Sequence, residues 1–291
     1  MTEAVPAPSV PPPDQLLIVN ADDFGLTPGV NRAIIEAFEH GIVTSTSMLA
    51  VAPAFHDAVT RWRSGDLGSL GIGVHFALVG EDPPLLSAAE VPTLVDRRGR
   101  LSRSWRQFLP RAACGRVDPA DLRREFSAQL ARIRQAGIEP THVDTHQHLH
   151  LWPLVREAVF DVASSAGIDA LRVPRGAGTG PKGAGVAALS RRLARAATQR
   201  GFRQPDVFVG LDEAGHLDQA RWAHVLNGLE PRAATEIGCH PGHAIDPERD
   251  RYRWGFDWPG ELAALCDPNL RDRLEQRGFV LGSFAALGPP R

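Results

Sequence analysis

The order of strand-like and helix-like segments is the feature of this sequence that most limits its possible folds. From Gln15 onward, short apolar runs rich in β-branched residues alternate with longer segments whose apolar residues repeat at helical spacing. Such alternation is typical of parallel sheets, because parallel neighbours need a crossover connection. The sequence therefore predicts an α/β protein, most simply a distorted parallel β/α barrel. An open doubly wound sheet is the alternative, although no glycine-rich dinucleotide-binding motif follows the first strand.

Capping residues and apolar runs set the predicted segment boundaries. Thr27 and Pro28 predict the start of the first helix, and Gly41 predicts its end. Further helices are predicted at about 53–63, 118–137, 153–167 and 186–200. Strands are predicted at about 16–20, 45–51, 69–76, 141–146, 170–173, 206–209, 234–238 and 279–281.

Composition narrows the partners and the compartment. The 291 residues carry a net charge of −2, so the chain lacks the basic surface typical of nucleic-acid-binding proteins. No apolar run approaches the roughly 18 residues that a membrane-spanning helix needs. The three cysteines are scattered, which does not suggest a disulfide framework and agrees with a reducing cytoplasm. We therefore predict a cytoplasmic protein without a nucleic-acid partner or a membrane span; a homodimer stays open.

The sequence predicts one folded domain, with an extension before it and two irregular segments within it. Residues 1–14 are proline-rich and read as a disordered extension, whereas residues 15–291 show no linker and are predicted to form a single β/α-barrel domain. Glu81 to Val117 has little periodicity and is long for a connection, so we predict a functional insertion or lid. Gly176 to Gly185 is glycine-rich, and we predict that it is mobile.

A tract of histidines between Thr141 and His150 indicates a site. Four of the chain's 11 histidines lie there, together with Asp144. Neutral imidazole is the commonest protein ligand for divalent metals, and a nearby carboxylate often fixes its orientation. If the segment is extended, His146, His148 and His150 share one face and could bind a metal together.

A second site-like segment closes the first predicted strand, where Asp22 and Asp23 stand side by side before Phe24 and Gly25. Two buried neighbouring carboxylates are costly unless a cation or a proton separates their roles. His75 and His240 also lie at predicted strand ends. In β/α folds the carboxyl ends of the strands build the active site, so these distant residues are expected to meet.

These residues lie in motifs that resemble those of the YdjC-like carbohydrate deacetylases, which include chitooligosaccharide deacetylases and hopanoid-biosynthesis-associated deacetylases. The resemblance runs in order from about Leu16 to Ser283, and it is carried by the segments 20–25, 41–47, 73–76, 141–148 and 239–241. It implies a distorted barrel related to NodB-type polysaccharide deacetylases. It further implies hydrolytic removal of an N-acetyl group from an amino sugar, assisted by one divalent metal ion.

The resemblance also implies the roles of individual residues. Asp23, His75 and His146 become the metal ligands in place of the spacing-based set. Asp22 becomes the general base and His240 the general acid. Two imidazoles and one carboxylate favour zinc on ligand chemistry, while descriptions of the family keep magnesium as an alternative.

Four further residues form the candidate substrate-binding set. His148 is expected to contact substrate or to support a ligand, and Asp144 to orient a ligand histidine or to form a strand-end turn. Arg172 and Arg175 could hold a sugar, orient Asp22 or simply lie on the surface. Outside this set, Trp152 could stack on a sugar or belong to the core, and His243 is a reserve candidate for the acid. His142 and His150 are expected to pack or to face solvent. Four further histidines show no pattern and are expected on the surface: His40, His56, His216 and His224.

Three functions remain in competition on the sequence alone. The leading one is a metal-dependent deacetylase for a small N-acetylated sugar or glycoconjugate. The alternatives are a metal-dependent amidohydrolase for a non-sugar amide and a sugar-binding protein without turnover. The intact set of acid, base and ligand residues argues against the last of these.

Overall fold

The structure is a computed structural model that describes residues 15–65, 67–176, 178, 180–231 and 233–290. The predicted extension at residues 1–14 lies outside this part of the chain. The strands of the described part are β1 (Leu16–Phe24), β2 (Ser45–Met48), β3 (Gly71–Phe76), β4 (Val143–Thr145), β5 (Val207–Val209), β6 (Thr235–Cys239) and β7 (Val280–Leu281).

These strands form one parallel sheet that curls into an incomplete barrel. Their order is β4-β3-β2-β1-β6-β5, and β7 pairs with the start of β1. Beyond β4, Val143 pairs with Leu171 and Ala170 pairs with Arg203, which carries the sheet around to the chain that enters β5. The strands thus follow one another around a circle, as in a β/α barrel and not as in an open doubly wound sheet. The predicted distorted parallel barrel is confirmed.

Helices cover the outside of this sheet. They are α1 (Pro28–Glu39), α2 (Phe55–Ser64), α3 (Trp105–Ala113), α4 (Pro119–Gln135), α5 (Pro153–Ser165), α6 (Gly180–Gln199), α7 (Gln219–Gly228), α8 (Trp258–Leu265) and α9 (Pro268–Gln276). The start of α1 is as predicted, because the Thr27 hydroxyl accepts a hydrogen bond from the Val30 N–H and Pro28 occupies the first helical position. Within the described residues, no helix is both long and apolar enough to cross a membrane.

Several predicted segments differ from the structure. The strand at 170–173 is reduced to single-residue pairings, because Pro174 follows and has no N–H with which to extend the ladder. Helix α6 begins at Gly180, so half of the glycine-rich stretch that was predicted to be mobile is helical. Residues 177 and 179 of that stretch lie outside the described residues. The histidine tract is also not an extended strand, as shown below.

The long segment after β3 is more regular than its sequence suggested. It contains α3, and it packs on α4 through polar contacts that the sequence pattern did not reveal. The Glu125 carboxylate accepts the N–H groups of Leu85 and Leu86, and Asp121 accepts both the N–H and the hydroxyl of Thr93. These hydrogen bonds join the segment to the buried face of α4 and so hold the segment against the barrel.

Candidate metal centre and acid–base pair

Asp22 and Asp23 direct their carboxylates into one buried cluster although they are neighbours in a strand. Consecutive side chains of a regular strand point to opposite faces. Here the pairing of β1 with β2 shifts between Ala21 and Phe24, and Asp23 has a φ of 70°. This β-bulge, with one residue in the left-handed region, brings both carboxylates to the same side. The strain it carries is typical of functional sites.

Asp23 meets two histidines from other strand ends. Its Oδ1 lies 3.5 Å from Nε2 of His75, at the end of β3, and 3.4 Å from Nδ1 of His146, which follows β4. Burial raises the pKa of Asp23, but the two histidines outweigh this effect and leave the pKa below its usual value. The structure therefore brings together the three residues that the family resemblance assigned as ligands.

The donor atoms of this group fit a divalent cation. The Nδ1 of His75 donates to Oδ1 of Asp144 at 2.6 Å, so Nε2 is the ring nitrogen that faces Asp23 and can bind a cation. The Oδ1 of Asp23 is buried and has no hydrogen-bond partner. A buried acceptor without a donor is costly, and a cation held by this oxygen and the two imidazole nitrogens would remove that cost. A second acidic group, formed by Asp22, His75 and Asp144, is less suitable because Arg172 already neutralises its carboxylates.

Arg172 clamps the other aspartate. Its side chain is completely buried, and its Nη1 and Nη2 each donate to one oxygen of Asp22 at 2.6 Å. Nη1 also lies 2.8 Å from Oδ2 of Asp144, and Nε donates to Oε1 of Glu236 at 2.6 Å. Burial raises the pKa of Asp22, but the guanidinium outweighs it and holds the pKa well below its usual range. Of the predicted alternatives for Arg172, the geometry favours orientation of Asp22, because no part of the side chain is left to contact a sugar.

His240 faces the clamped carboxylate. Its Nε2 lies 3.9 Å from Oδ2 of Asp22. This oxygen accepts from Nη1 of Arg172, whereas Oδ1 accepts from Nη2 of Arg172 and also from the Asn20 side chain, at 2.7 Å. The His240 N–H donates to the carboxylate of Glu261 on α8, which anchors the backbone of this residue. Asp22 and His240 are thus placed as a carboxylate–imidazole pair beside the Asp23 group.

The histidine tract bends sharply after β4, and this overturns the interpretation that was based on its spacing. Residues 146–151 form a 3-10 turn in which Gln147 and His148 both have a φ of 53°. His146, His148 and His150 therefore do not share a face. His150 instead bonds to the Thr145 hydroxyl and the Arg172 carbonyl oxygen, at 2.7 and 3.0 Å. It is a buried structural residue, and His142, stacked on Phe284 at 3.8 Å between ring centroids, is another.

The candidate substrate-binding residues His148 and Arg175 line two different cavities. His148 lies beside Phe208, and burial together with Arg172 keeps its pKa well below the usual value, so it is a neutral imidazole. It lines a cavity of about 550 Å³ that Trp105 and Trp152 also line. Arg175 is not part of this group: it borders a separate cleft with Gln204 and residues 287–290. That cleft lies at the amino-terminal side of β5 and β6, so the expectation that Arg175 joins the site is not supported.

The other histidines and Cys239 lie outside this group. His243 pairs with Glu36 on α1 at 3.1 Å. Cys239 is buried, with its thiol directed at the Asn20 carbonyl oxygen, and burial raises its pKa well above the usual value, so it is a structural residue. The four histidines without a pattern are exposed, as predicted: His40, His56, His216 and His224.

Sequence reasoning missed several polar residues of the cluster. Asn20 bridges Asp22 and Ser47, and the Ser47 hydroxyl donates to Oδ2 of Asp144 at 2.8 Å. Glu236 is the second residue of the buried strand β6. A signal existed for Asn20 and Glu236, because a polar or charged side chain in a buried strand needs a partner. Ser47 gave no such signal, because three of the four residues of β2 are polar.

An aromatic segment after β6 was also missed. Tyr252, Trp254, Phe256 and Trp258 alternate along the chain and contact one another. The Trp254 ring lies 5.3 Å from that of His146, and the Phe256 ring lies 4.9 Å from that of His240. Both rings are half-buried, so they form an aromatic wall beside the candidate ligand and the candidate acid.

The segment predicted as a lid begins at this wall. The Tyr252 hydroxyl donates to Asp82 at 2.9 Å, and the Trp254 indole N–H lies 3.4 Å from Glu81. Further along, the Trp105 N–H donates to the side chain of Gln147 at 2.9 Å. The segment therefore lies at the same end of the barrel as the Asp23 group, and Trp105 contributes to the cavity that His148 lines.

Comparison with known proteins adds the evolutionary context of this site. The sequence profile described as YdjC-like protein matches residues 16–276. The chain belongs to the YdjC-like family. A chitooligosaccharide deacetylase from Enterobacter sp. (strain 638) is 34% identical to this YdjC-like chain over 278 residues, which cover 94% of it and 100% of the relative. A carbohydrate deacetylase from Geobacillus stearothermophilus is 32% identical over 269 residues, covering 92% of the chain and 96% of the relative.

Solved structures give the same picture of the fold. A crystal structure of a protein from Enterococcus faecalis V583, provisionally named a cellobiose-phosphate cleavage protein, matches with a TM-score of 0.77 and 26% identity, covering 94% of this YdjC-like chain and 99% of that one. An uncharacterized protein from Agrobacterium tumefaciens C58 matches with a TM-score of 0.52 and 15% identity over 94% and 89% of the two chains. The second likeness concerns the fold alone.

Proposed function

We propose that this protein is a metal-dependent hydrolase that removes the N-acetyl group from a small amino sugar or glycoconjugate. The observation that carries the proposal is the buried Oδ1 of Asp23, which lacks a hydrogen-bond partner and faces two imidazole nitrogens. The names of the curated relatives, carbohydrate deacetylase and chitooligosaccharide deacetylase, support the same chemistry. We place the reaction in the cytoplasm, as the sequence predicts.

The proposed cofactor is one divalent ion held by Asp23, His75 and His146. Bound there, it would polarise the acetamide carbonyl and lower the pKa of a water molecule. Two imidazole nitrogens and one carboxylate favour zinc, whereas magnesium prefers more oxygen ligands.

Asp22 is the proposed general base. The Arg172 clamp keeps its carboxylate ionised and leaves Oδ2 as the oxygen with a free lone pair. A carboxylate with a depressed pKa is a weak base, so it accepts a proton only from a water that is more acidic than bulk water. The Asn20 side chain and Arg172 keep the carboxylate in place while it accepts that proton.

His240 is the proposed general acid. Its Nε2 faces Oδ2 of Asp22 at 3.9 Å, so the proton that the base accepts has a short path to the imidazole. The imidazole then donates a proton to the departing amine nitrogen, without which the C–N bond breaks slowly. His148 is the weaker candidate for this role because its pKa is depressed by burial. The half-buried rings of Trp254 and Phe256 would hold the sugar ring against the two imidazoles.

Acetate release from N,N′-diacetylchitobiose tests the proposal. The protein is stripped of metal with a chelator and assayed before and after addition of zinc or magnesium. We expect release only after metal is restored, with zinc more effective. Cleavage of N-acetylated amino acids without cleavage of the sugar would instead favour the non-sugar amidohydrolase. Sugar binding without any release would favour the non-catalytic binding protein.

A further inference from the structure

Glu236 is a buried acidic residue for which the proposed reaction has no direct use. It is the second residue of β6, opposite Ile18 of β1 and Phe208 of β5, and it is completely buried. Its Oε1 accepts a hydrogen bond from Nε of Arg172 at 2.6 Å, and its Oε2 has no hydrogen-bond partner. Buried carboxylates normally use both oxygens, so a residue kept with one unused oxygen calls for an explanation.

The explanation lies in the shape of the guanidinium group. Arg172 is planar and presents its donors in a fixed fork, so its orientation is set by the acceptors at its edges. Asp22 and Asp144 occupy the edges formed by the terminal nitrogens. Glu236 accepts from the Nε–H, on the side of the group nearest the arginine stem. The plane of the fork, and with it the direction of both bonds to Asp22, therefore depends on where Oε1 of Glu236 lies.

We propose that Glu236 is a positioning residue that aims the Arg172 clamp at Asp22 through the location of its Oε1 atom and not through a negative charge. The proposal rests on the proposed function only in treating Asp22 as the base. A third negative charge around one guanidinium would be poorly compensated, since Asp22 and Asp144 already neutralise it. In agreement, burial raises the pKa of Glu236 to about 8 despite the opposing effect of Arg172.

Two conservative substitutions separate location from charge. Glu236→Gln keeps a carbonyl oxygen at the same distance from the backbone and cannot ionise. Glu236→Asp keeps an ionisable carboxyl group but is one methylene shorter, which withdraws the oxygen by about 1.5 Å. Misplacement of a reacting group by about 1 Å can cost roughly 10²-fold in rate. We expect Glu236→Gln to retain the wild-type kcat and Glu236→Asp to lose about 10²-fold, with KM and metal content unchanged in both.

Other outcomes of this comparison overturn the proposal. Wild-type kcat in Glu236→Asp would mean that the location of the oxygen does not matter. An equal loss in Glu236→Gln and Glu236→Asp would mean that the charge matters. A change confined to KM would assign Glu236 to substrate binding.

A measurement independent of activity keeps this inference separate from the proposed function. The Nε–H of Arg172 should give a ¹H–¹⁵N resonance protected from solvent exchange in the wild type and in Glu236→Gln, with Arg172→Lys identifying the signal. We expect protection to be lost in Glu236→Asp. If it persists there, the inference is wrong whatever the activity. If it is lost but the wild-type protein releases no acetate from any sugar, the proposed function fails and Glu236 remains the residue that positions the clamp.

Discussion

At the scale of single residues, Asp22 and Asp23 acquire different chemistry from one backbone irregularity. The bulge in β1 turns both toward the interior, and their partners then separate them. Asp22 is held by the two terminal nitrogens of Arg172, whereas Asp23 keeps an oxygen without a hydrogen-bond partner. A sequence cannot show a β-bulge directly. The bulge nevertheless explains why two consecutive acidic residues at the end of an apolar strand can both face the interior.

Asp144 should influence metal affinity without binding the metal. Its bond to Nδ1 of His75 fixes the ring orientation and the tautomer that exposes Nε2. Asp144→Asn should weaken metal binding roughly 10–100-fold, the usual effect of removing such a partner. Competition with a fluorescent zinc chelator measures this change. Asp206→Asn, at the other end of the barrel, is the control, and equal affinities in the two variants would contradict the assignment.

Glu236 should also make stability depend on pH. Its pKa is about 8 in the folded protein, against an ordinary value of 4.5. Its contribution to stability is therefore fully present below pH 4.5 and is lost as the pH rises to about 8. Glu236→Gln has no proton to lose, so its free energy of unfolding should rise relative to wild type across this window, by on the order of 3–5 kcal/mol. Denaturant unfolding from pH 4 to 9 measures the free energies of unfolding, and Glu248→Gln, at an exposed position, is the control. A difference between Glu236→Gln and wild type that does not change with pH would contradict the prediction.

The sequence predicted part of this site and missed part of it, for physical reasons. Asp23, His75 and His146 could be grouped only through the family motifs, since spacing alone favoured His146, His148 and His150. That pattern failed because two consecutive residues, Gln147 and His148, adopt left-handed backbone conformations, which are uncommon for residues other than glycine. Partners that lie on distant strands, such as Ser47 and Glu236, become visible only when the barrel brings the strands together.

At the scale of secondary-structure elements, the aromatic wall of Tyr252, Trp254, Phe256 and Trp258 is the best candidate for holding the sugar. Trp254→Ala should raise the KM for diacetylchitobiose by roughly 2- to 12-fold, because stacking on an aromatic face contributes about 0.5–1.5 kcal/mol, while kcat changes less. Steady-state kinetics of acetate release test this. Tyr252→Phe, which keeps the ring and loses the bond to Asp82, is the matched control. An unchanged KM in Trp254→Ala would remove the wall from the substrate site.

The elements themselves were predicted best where a periodic pattern coincided with capping residues. Helix α1 begins at the predicted proline because Thr27 caps it. Helix α3 was missed because Pro110 interrupts its pattern and arginines surround it. The strand at 170–173 was overpredicted because its apolar residues pair only briefly before Pro174. Local sequence shows the propensity to form a strand, but the length of the ladder depends on its neighbours.

At the scale of the whole molecule, the barrel gathers residues from positions 22 to 240 of the chain at the carboxyl ends of its strands. A metal ion that binds only the folded state stabilises the entire fold by mass action. At a free concentration of 100 times Kd this amounts to about 2.7 kcal/mol, or a rise in Tm of roughly 5 °C. Calorimetry with and without zinc measures the rise. Asp23→Asn should lose it and Asp22→Asn should keep it; no rise in the wild type would contradict a metal site in the folded protein.

If Asp22 is the general base and Asp23 is a metal ligand, replacing each one must affect metal content and acetate release differently. Wild type, Asp22→Asn and Asp23→Asn are loaded with zinc, desalted and assayed on diacetylchitobiose. We predict one bound ion in Asp22→Asn with a rate lower by roughly 10²–10⁴-fold, as for the loss of a general base. Asp23→Asn should lose the ion, and added zinc should partly restore its rate. Metal lost from Asp22→Asn but retained by Asp23→Asn would contradict the account.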